Sequence, residues 1–239
     1  MIDQFYASGR GDRLVDESLL PVVIRDFLEQ EERLLADICQ DFDCLVELGS
    51  MYGLHLEFAV NSDKKYLGLD VVDRYVVEGN RRVAALDLDQ EDHRFLTCGI
   101  EDMGTIDIPG ARALAFSPFN CLGNITDLPG ALNGLVGSGL PFLLSSYRTD
   151  AQATHGREEY YDGCGYTEIR VRREPRGVRF TAAEGLDTVA YEPDHMLALL
   201  SDAGTEADVV FFGDIGACYV RSDLAPRARE AAGKLPADH

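Results

Sequence analysis

The 239-residue chain has no run of eighteen apolar residues, so no segment of it is read as a membrane-spanning helix. Lysine is nearly missing: it stands only at 64, 65 and 234, beside nineteen arginines. Positive charge is short altogether, 22 Lys and Arg against 42 Asp and Glu, and a net charge of −20 repels phosphate backbones. Nucleic acids and anionic membranes are therefore not expected as partners; a small-molecule substrate is, and a homodimer stays open. The six cysteines (39, 44, 98, 121, 164, 218) include no C-x-x-C pair, so they read as small buried hydrophobes in a reducing cytoplasm. The acidic stretch 87–92 lacks the EF-hand spacing, and no metal site is expected. The first eighteen residues are polar with early acids, unlike a signal peptide. Neither an internal repeat nor a Pro/Gly-rich linker divides the chain.

What is there is an alternation. Residues 17–39 carry apolar positions at helical spacing with acids between them, which predicts one or two amphipathic helices. From residue 42 the pattern predicts strands at 43–48, 65–69, 94–98, 112–117 and 140–146 and helices at 53–60, 73–85 and 127–137. Such alternation calls for a parallel sheet with right-handed crossovers. Residues 160–190 contain two alternating segments around Pro175-Arg176-Gly177, an inserted hairpin. A helix follows from Glu192, with Pro193 near its start and Gly204 past its end, and then two strands at 208–212 and 217–221. This divides the chain into an N-terminal helical segment or lid (1–40), an α/β domain (41–223, insertion at about 155–190) and a frayed tail (224–239).

The most informative stretch is 44–70. An apolar strand ends in Glu47, a turn runs Gly49-Ser50-Met51-Tyr52-Gly53, and a second strand ends in Asp70. An acidic residue closing the second strand, one helix after a glycine turn, is suited to holding the two hydroxyls of a ribose. Glycine in the turn permits close backbone approach and positive φ. The spacing E-x-G-x-x-x-G differs from the dinucleotide G-x-G-x-x-G, and Glu47 would repel a pyrophosphate, which disfavours a nicotinamide-dependent oxidoreductase.

The segment resembles the first motif of class I S-adenosylmethionine (SAM) methyltransferases, (D/E)-x-G-x-G-x-G. Glu47, Gly49 and Gly53 match it, and Met51 stands where the middle glycine is usual. The resemblance runs from about 40 to 222 and implies a Rossmann-like seven-stranded sheet, mostly parallel with an antiparallel terminal strand. It implies that Glu47 takes the amino group of SAM, directly or through water, and that the backbone from Gly49 through Met51 to Gly53 lines the cofactor. Asp70 would accept the ribose hydroxyls and Val71 would pack on the adenine. The segment 95–102 resembles the family's G-D-x-x-D, with Cys98-Gly99 in place of Gly-Asp; Ile100 would cover the other adenine face, and Glu101 or Asp102 would accept from its amino group. The loop 115–124 resembles the segment flanking the transferred methyl in small-molecule enzymes. There Ser117 and Asn120 supply polar groups, Asn120 holding the SAM amino group or orienting the nucleophile. It is not the N-P-P-Y signature, so amide or exocyclic amino nitrogens are less expected as acceptors.

A general base is needed only where the acceptor must lose a proton early. Beyond the fifth strand His155, whose side-chain type titrates at about 6.5, is a candidate base. Tyr160 and Tyr161 would stack on a substrate or face the sulfonium; Arg148 and Arg157 would bind a substrate carboxylate. Tyr6 and the insertion would form a lid that excludes water. His55 and His195 read as structural. The resulting expectation is a SAM-dependent methyltransferase acting on a small molecule of the kind found in specialised metabolism. Two alternatives keep the cofactor: transfer or cyclisation of its aminocarboxypropyl arm, and a non-catalytic SAM-binding module.

Overall fold

A computed structural model describes residues 2–234. Seven strands form one sheet: β1 (Cys44–Leu48), β2 (Lys65–Asp70), β3 (His93–Thr97), β4 (Ala113–Ser117), β5 (Phe142–Tyr147), β9 (Ala207–Phe212) and β10 (Gly216–Arg221). Their order is β3-β2-β1-β4-β5-β10-β9, with β10 antiparallel to both neighbours and the first five strands parallel. β1, β4 and β5 are buried at every position, as strands covered on both faces must be.

The pleat sorts side chains into two cores. Cys44, Val46 and Leu48 face one with α5 (Leu128–Gly137) and α7 (Pro193–Asp202); Leu45 faces the other with α2 (Val22–Cys39). Glycine serves packing at one helix–strand contact: a Cβ at Gly79, on α4 (Asp73–Ala85), would lie 2.6 Å from the Phe95 ring.

The central strands and the helices after β2 and β4 fall within a few residues of their expected bounds. Elsewhere the structure differs. The first crossover helix, α3, begins only at Leu56 and ends at Asn61, because residues 51–55 form turns. Residues 151–163, where the pattern predicts no helix, form helix α6 (Ala151–Gly163), whose start is capped by Asp150 accepting from the Ala153 amide. Its inward stripe is Ala153, Gly156, Arg157 and Tyr160; a glycine and an arginine there erase the apolar period. The insertion is a three-stranded antiparallel sheet rather than a hairpin, β6 (Arg170–Glu174), β7 (Gly177–Thr181) and β8 (Asp187–Tyr191). The expected frayed tail is instead a helix, α8 (Ala225–Gly233), with Ala225, Ala228 and Ala231 buried; residues 235–239 lie outside the described residues. At the other end, helix α1 (Ile2–Ala7) and a 3₁₀ turn over Arg10–Val15 lie across the sheet's carboxyl edge. Among the described residues no helix is long and apolar enough to cross a membrane.

Candidate active site

The strand order reverses between β1 and β4, where open parallel sheets bind ligands at their carboxyl ends. A cavity of about 500 Å³ lies there, bounded by the turn after β1, the ends of β2 and β5, the 118–127 segment, α6, β8 and the N-terminal segment. Tyr6, Gly49, Met51, Asp70, Val71, Ile100, Glu101, Asn120, Tyr160 and Tyr161 line it, drawn together from across the sequence.

The turn after β1 is built on left-handed backbone at alternate positions: Gly49 (φ 70°), Met51 (φ 47°) and Gly53 (φ 94°). A Cβ at Gly49 would sit 2.1 Å from the Cys121 sulfur, so the turn and the segment after β4 touch only because position 49 has no side chain. Met51 holds a conformation that costs a non-glycine residue about 1–2 kcal/mol, and its buried side chain packs on Val72 and Tyr75. Gly53 faces away from the cavity, against the Phe95 ring.

Asp70 ties the turn to β2. Its Oδ2 accepts from the Met51 amide at 2.8 Å and its Oδ1 from the Val72 amide at 2.9 Å, leaving each oxygen a further lone pair. Burial pushes its pKa above the usual carboxylate value, against the lowering by those two amides. Val71 beside it is exposed and lines the cavity, free to pack on a ligand ring.

Glu47 does not reach the cavity. It points to the Leu45 side of the sheet, fully buried, with Oε1 2.8 Å from His55 Nδ1 and Oε2 accepting from the His55 amide at 3.2 Å and from the Tyr66 hydroxyl. Burial works against a charge on His55, but the charge and hydrogen bond of Glu47, with Glu31 and Glu32 behind, outweigh it and raise the pKa. Glu47 thus anchors the start of α3. Of the two acids after β3, Glu101 lines the cavity and Asp102 does not. Ser117 is buried beside Cys121, outside the lining. His155 sits on the outer face of α6, its side chain 71% exposed and 3.4 Å from Glu159.

Asn120 lines the cavity with left-handed backbone (φ 59°), as does Phe119 before it (φ 50°). Its amide is engaged at both ends: Nδ2 donates to Thr188 Oγ1 and to the Val189 carbonyl, each at 3.2 Å, and Oδ1 accepts from Ser146 Oγ at 2.6 Å. It braces the 118–127 segment to β5 and β8. Tyr160 donates to the Leu14 carbonyl, and Tyr161 accepts from Arg157 Nη2 at 3.3 Å. The N-terminal segment is latched over the opening by Arg74, which donates to the Tyr6 carbonyl at 2.7 Å and to Asp12 Oδ2 at 3.1 Å, and by Tyr75, whose hydroxyl donates to Asp12 Oδ1 at 2.6 Å.

Tyr147, at the head of the candidate segment 147–150 after the fifth strand, lines the cavity as the last residue of β5. Sequence reasoning did not select Leu14, Tyr75, Phe119, Cys121 or Thr188 as site residues, yet all line the cavity. Thr188 belongs to the third insertion strand, which carried no separate signal.

No family model matches the chain, and no curated protein does. Solved structures do. One is a protein from Pyrococcus horikoshii OT3, at 12% identity and TM-score 0.62, over 84% of this chain and 92% of that one. Another is the magnesium protoporphyrin IX methyltransferase of Synechocystis PCC 6803 with bound S-adenosylhomocysteine (SAH), at 14% identity and TM-score 0.58, over 92% and 97%. A third is the 1,6-didemethyltoxoflavin N1-methyltransferase of Burkholderia thailandensis, with bound 1,6-didemethyltoxoflavin and SAH, at 12% identity and TM-score 0.55, over 91% and 84%. At such identities the likeness concerns backbone, and with the strand order above it establishes one thing: this chain has the fold of the class I SAM-dependent methyltransferases.

Proposed function

We propose that the chain is a SAM-dependent methyltransferase acting on a small-molecule acceptor. The observation that carries the reading is the pairing of Gly49 and Asp70 at the switch point. A glycine whose Cβ would strike Cys121 stands next to a buried carboxylate with a lone pair left on each oxygen. The residues fit the cofactor. Asp70 would hold the ribose hydroxyls, Val71 and Ile100 would flank the adenine, and Glu101 would accept from its amino group. Backbone from Gly49 to Met51 would take the methionine end, without Glu47, whose oxygens are already engaged. The cavity volume of about 500 Å³ falls within the ~300–1,000 Å³ of small-molecule sites. Two of the fold neighbours carry SAH in their crystals, which supports the same ligand here.

When bound, the cofactor supplies a methyl group already activated on a sulfonium. The chain's own part is alignment and exclusion of water. Tyr6 and Leu14 close the opening from the N-terminal side, Asn120 fixes the 118–127 segment, and Phe119, Tyr160 and Tyr161 form an aromatic wall for the acceptor. His155 has no place in this scheme, because it faces solvent.

Calorimetric titration with SAM, SAH and NAD tests the reading. Both adenosyl ligands are expected to bind with micromolar affinity, NAD not to bind, and Asp70→Ala to lose the adenosyl ligands. If the unmodified protein binds neither, the proposal fails. With an acceptor in hand, SAH rather than methylthioadenosine is the expected product.

A further inference from the structure

We propose that the acceptor is a planar, conjugated molecule with an acidic hydroxyl, bound as its oxyanion to Tyr147 and Tyr161, with Arg157 behind them supplying the opposite charge. The proposal rests on the methyltransferase reading and names the acceptor class for that site.

Among the described residues the acids on the cavity wall are Asp70, Glu101 and Asp127, from the side of β2, the 100–105 turn and the start of α5. The other side is aromatic. Phe119 and Tyr160 have ring centroids 5.6 Å apart, Phe119 and Tyr147 6.0 Å, and Tyr160 and Tyr161 5.0 Å. Such a wall offers π-faces to a flat molecule.

Behind it lies Arg157, the largest fully buried side chain among the described residues. Its guanidinium carbon is 4.3 Å from the Phe180 ring centroid, 5.0 Å from that of Tyr147 and 5.7 Å from that of Tyr161. Nη1 donates to the Val178 carbonyl at 3.2 Å and Nη2 to the Tyr161 hydroxyl at 3.3 Å, while Nε has no partner. Among the described residues no carboxylate pairs with it. A buried cation without a counter-ion is costly, and ring faces and carbonyls offset only part of that cost. An anionic ligand would supply the rest.

The tyrosines are arranged to receive one. The Tyr161 oxygen accepts from Arg157, which leaves its own proton to donate, and a donor polarised by a cation is a strong one. The Tyr147 hydroxyl is buried without a partner in a residue that lines the cavity. Burial pushes its pKa far up, so it stays a donor. Arg157 lowers that pKa and Glu31, on the α2 side, raises it; burial also raises the Glu31 pKa, toward its neutral form. Two donors backed by a fixed cation make an oxyanion cradle, and a protonated amine would meet Arg157 instead.

The chemistry balances. The acceptor releases its hydroxyl proton to solvent on binding. Its oxyanion lone pair then forms the O–C bond as the methyl–sulfur bond breaks, the electron pair leaving on sulfur. An anion and a sulfonium become two neutral products, so no general base is needed at the transfer step; among the described residues the cavity wall carries no histidine.

The test loads the protein with SAH and titrates it with para-nitrophenol, whose anion absorbs visible light, and with para-nitroaniline, of similar shape but neutral. The bound phenol is expected as the anion, its apparent pKa lowered by about one unit or more, with the aniline at least about tenfold weaker. Tyr147→Phe and Tyr161→Phe are each expected to cut anion affinity about tenfold and leave SAH binding intact, so the test does not depend on whether an Arg157→Met chain folds. A bound phenol that stays protonated, an aniline that binds as well, or no phenol binding to SAH-loaded protein would overturn the proposal. Failure to bind SAH in the first place would strike the methyltransferase reading instead.

Discussion

Asp70 carries opposite demands. Its pKa is raised by burial, so its charge stabilises the fold least where the cofactor needs it most. For a carboxyl raised in the folded state, the stabilising contribution is present below the unfolded value, about 3.9, and is lost as pH rises through the folded value. Near neutrality the buried charge is therefore a cost, which ribose hydroxyls donating to it would offset. SAH affinity is expected to be flat near neutrality and to fall about tenfold per unit once pH drops below the raised pKa, with proton release on binding in that window. Asp70→Asn should bind SAH weakly at every pH, without that slope; calorimetry in two buffers checks it. Met51 poses a second balance at this scale. Met51→Gly relieves about 1 kcal/mol of left-handed strain but removes a buried side chain contributing ~1.5–3 kcal/mol. Burial wins, so denaturant unfolding should show a net loss of about 1 kcal/mol. SAH affinity should stay within several-fold, because the backbone that meets the ligand keeps its conformation.

At the scale of elements, the latch on the N-terminal segment is a few side chains, not a packed core. Arg74 and Asp12 are each roughly 40% exposed, 38% and 43% for their side chains, so their pair contributes little to stability, about 0–1 kcal/mol. Yet it fixes the Tyr6 carbonyl, and with it the ring that covers the cavity. Arg74→Ala should therefore raise the dissociation rate of SAH several-fold while moving the melting temperature by no more than a few degrees; stopped-flow displacement reads the first. An unchanged rate would mean that this segment does not gate the site. The same distinction between packed and latched parts governs what the sequence could reveal. The central strands were legible because both their faces are buried, leaving runs such as Leu143–Ser145 between turn residues. The position of Asp70 on the cavity wall was legible because it closes a strand beside a glycine turn. α6 was not, because its inward face carries Gly156 and Arg157, and a buried arginine looks like a surface residue in any hydropathy pattern. Glu47 was placed at the right strand end but on the wrong side of the sheet: its partners His55 and Tyr66 are 8 and 19 residues away, and a pattern read along one strand does not register them. The braces of Asn120 to β5 and β8 are equally non-local, 26 residues and more along the chain.

For the molecule as a whole the governing quantity is the net charge of −20. Its basic residues are largely spent in surface pairs such as Arg81–Glu78 and Arg170–Glu168, whose side chains are mostly exposed. Each such pair contributes about 0–1 kcal/mol, and salt weakens it. The excess acids repel one another over longer distances, and salt weakens that as well once the screening length falls to about 8 Å at physiological ionic strength. The two effects pull the stability in opposite directions. Repulsion should prevail, because 42 acids face 22 bases, an excess of negative charge (net −20) that no arrangement of ion pairs neutralises. The apolar cores on the two faces of the sheet respond little to moderate sodium chloride. The melting temperature is therefore expected to rise by about 2–6 °C between low salt and about 0.3 M sodium chloride at neutral pH. A fall would mean that the arginine pairs, despite their exposure, act as a network that outweighs the excess charge. Because the cofactor's reacting centre is a cation, the same titration on SAM affinity separates the site from the surface. SAM should lose affinity with salt where the neutral sulfide SAH does not, if the negative field of the whole chain helps to gather it.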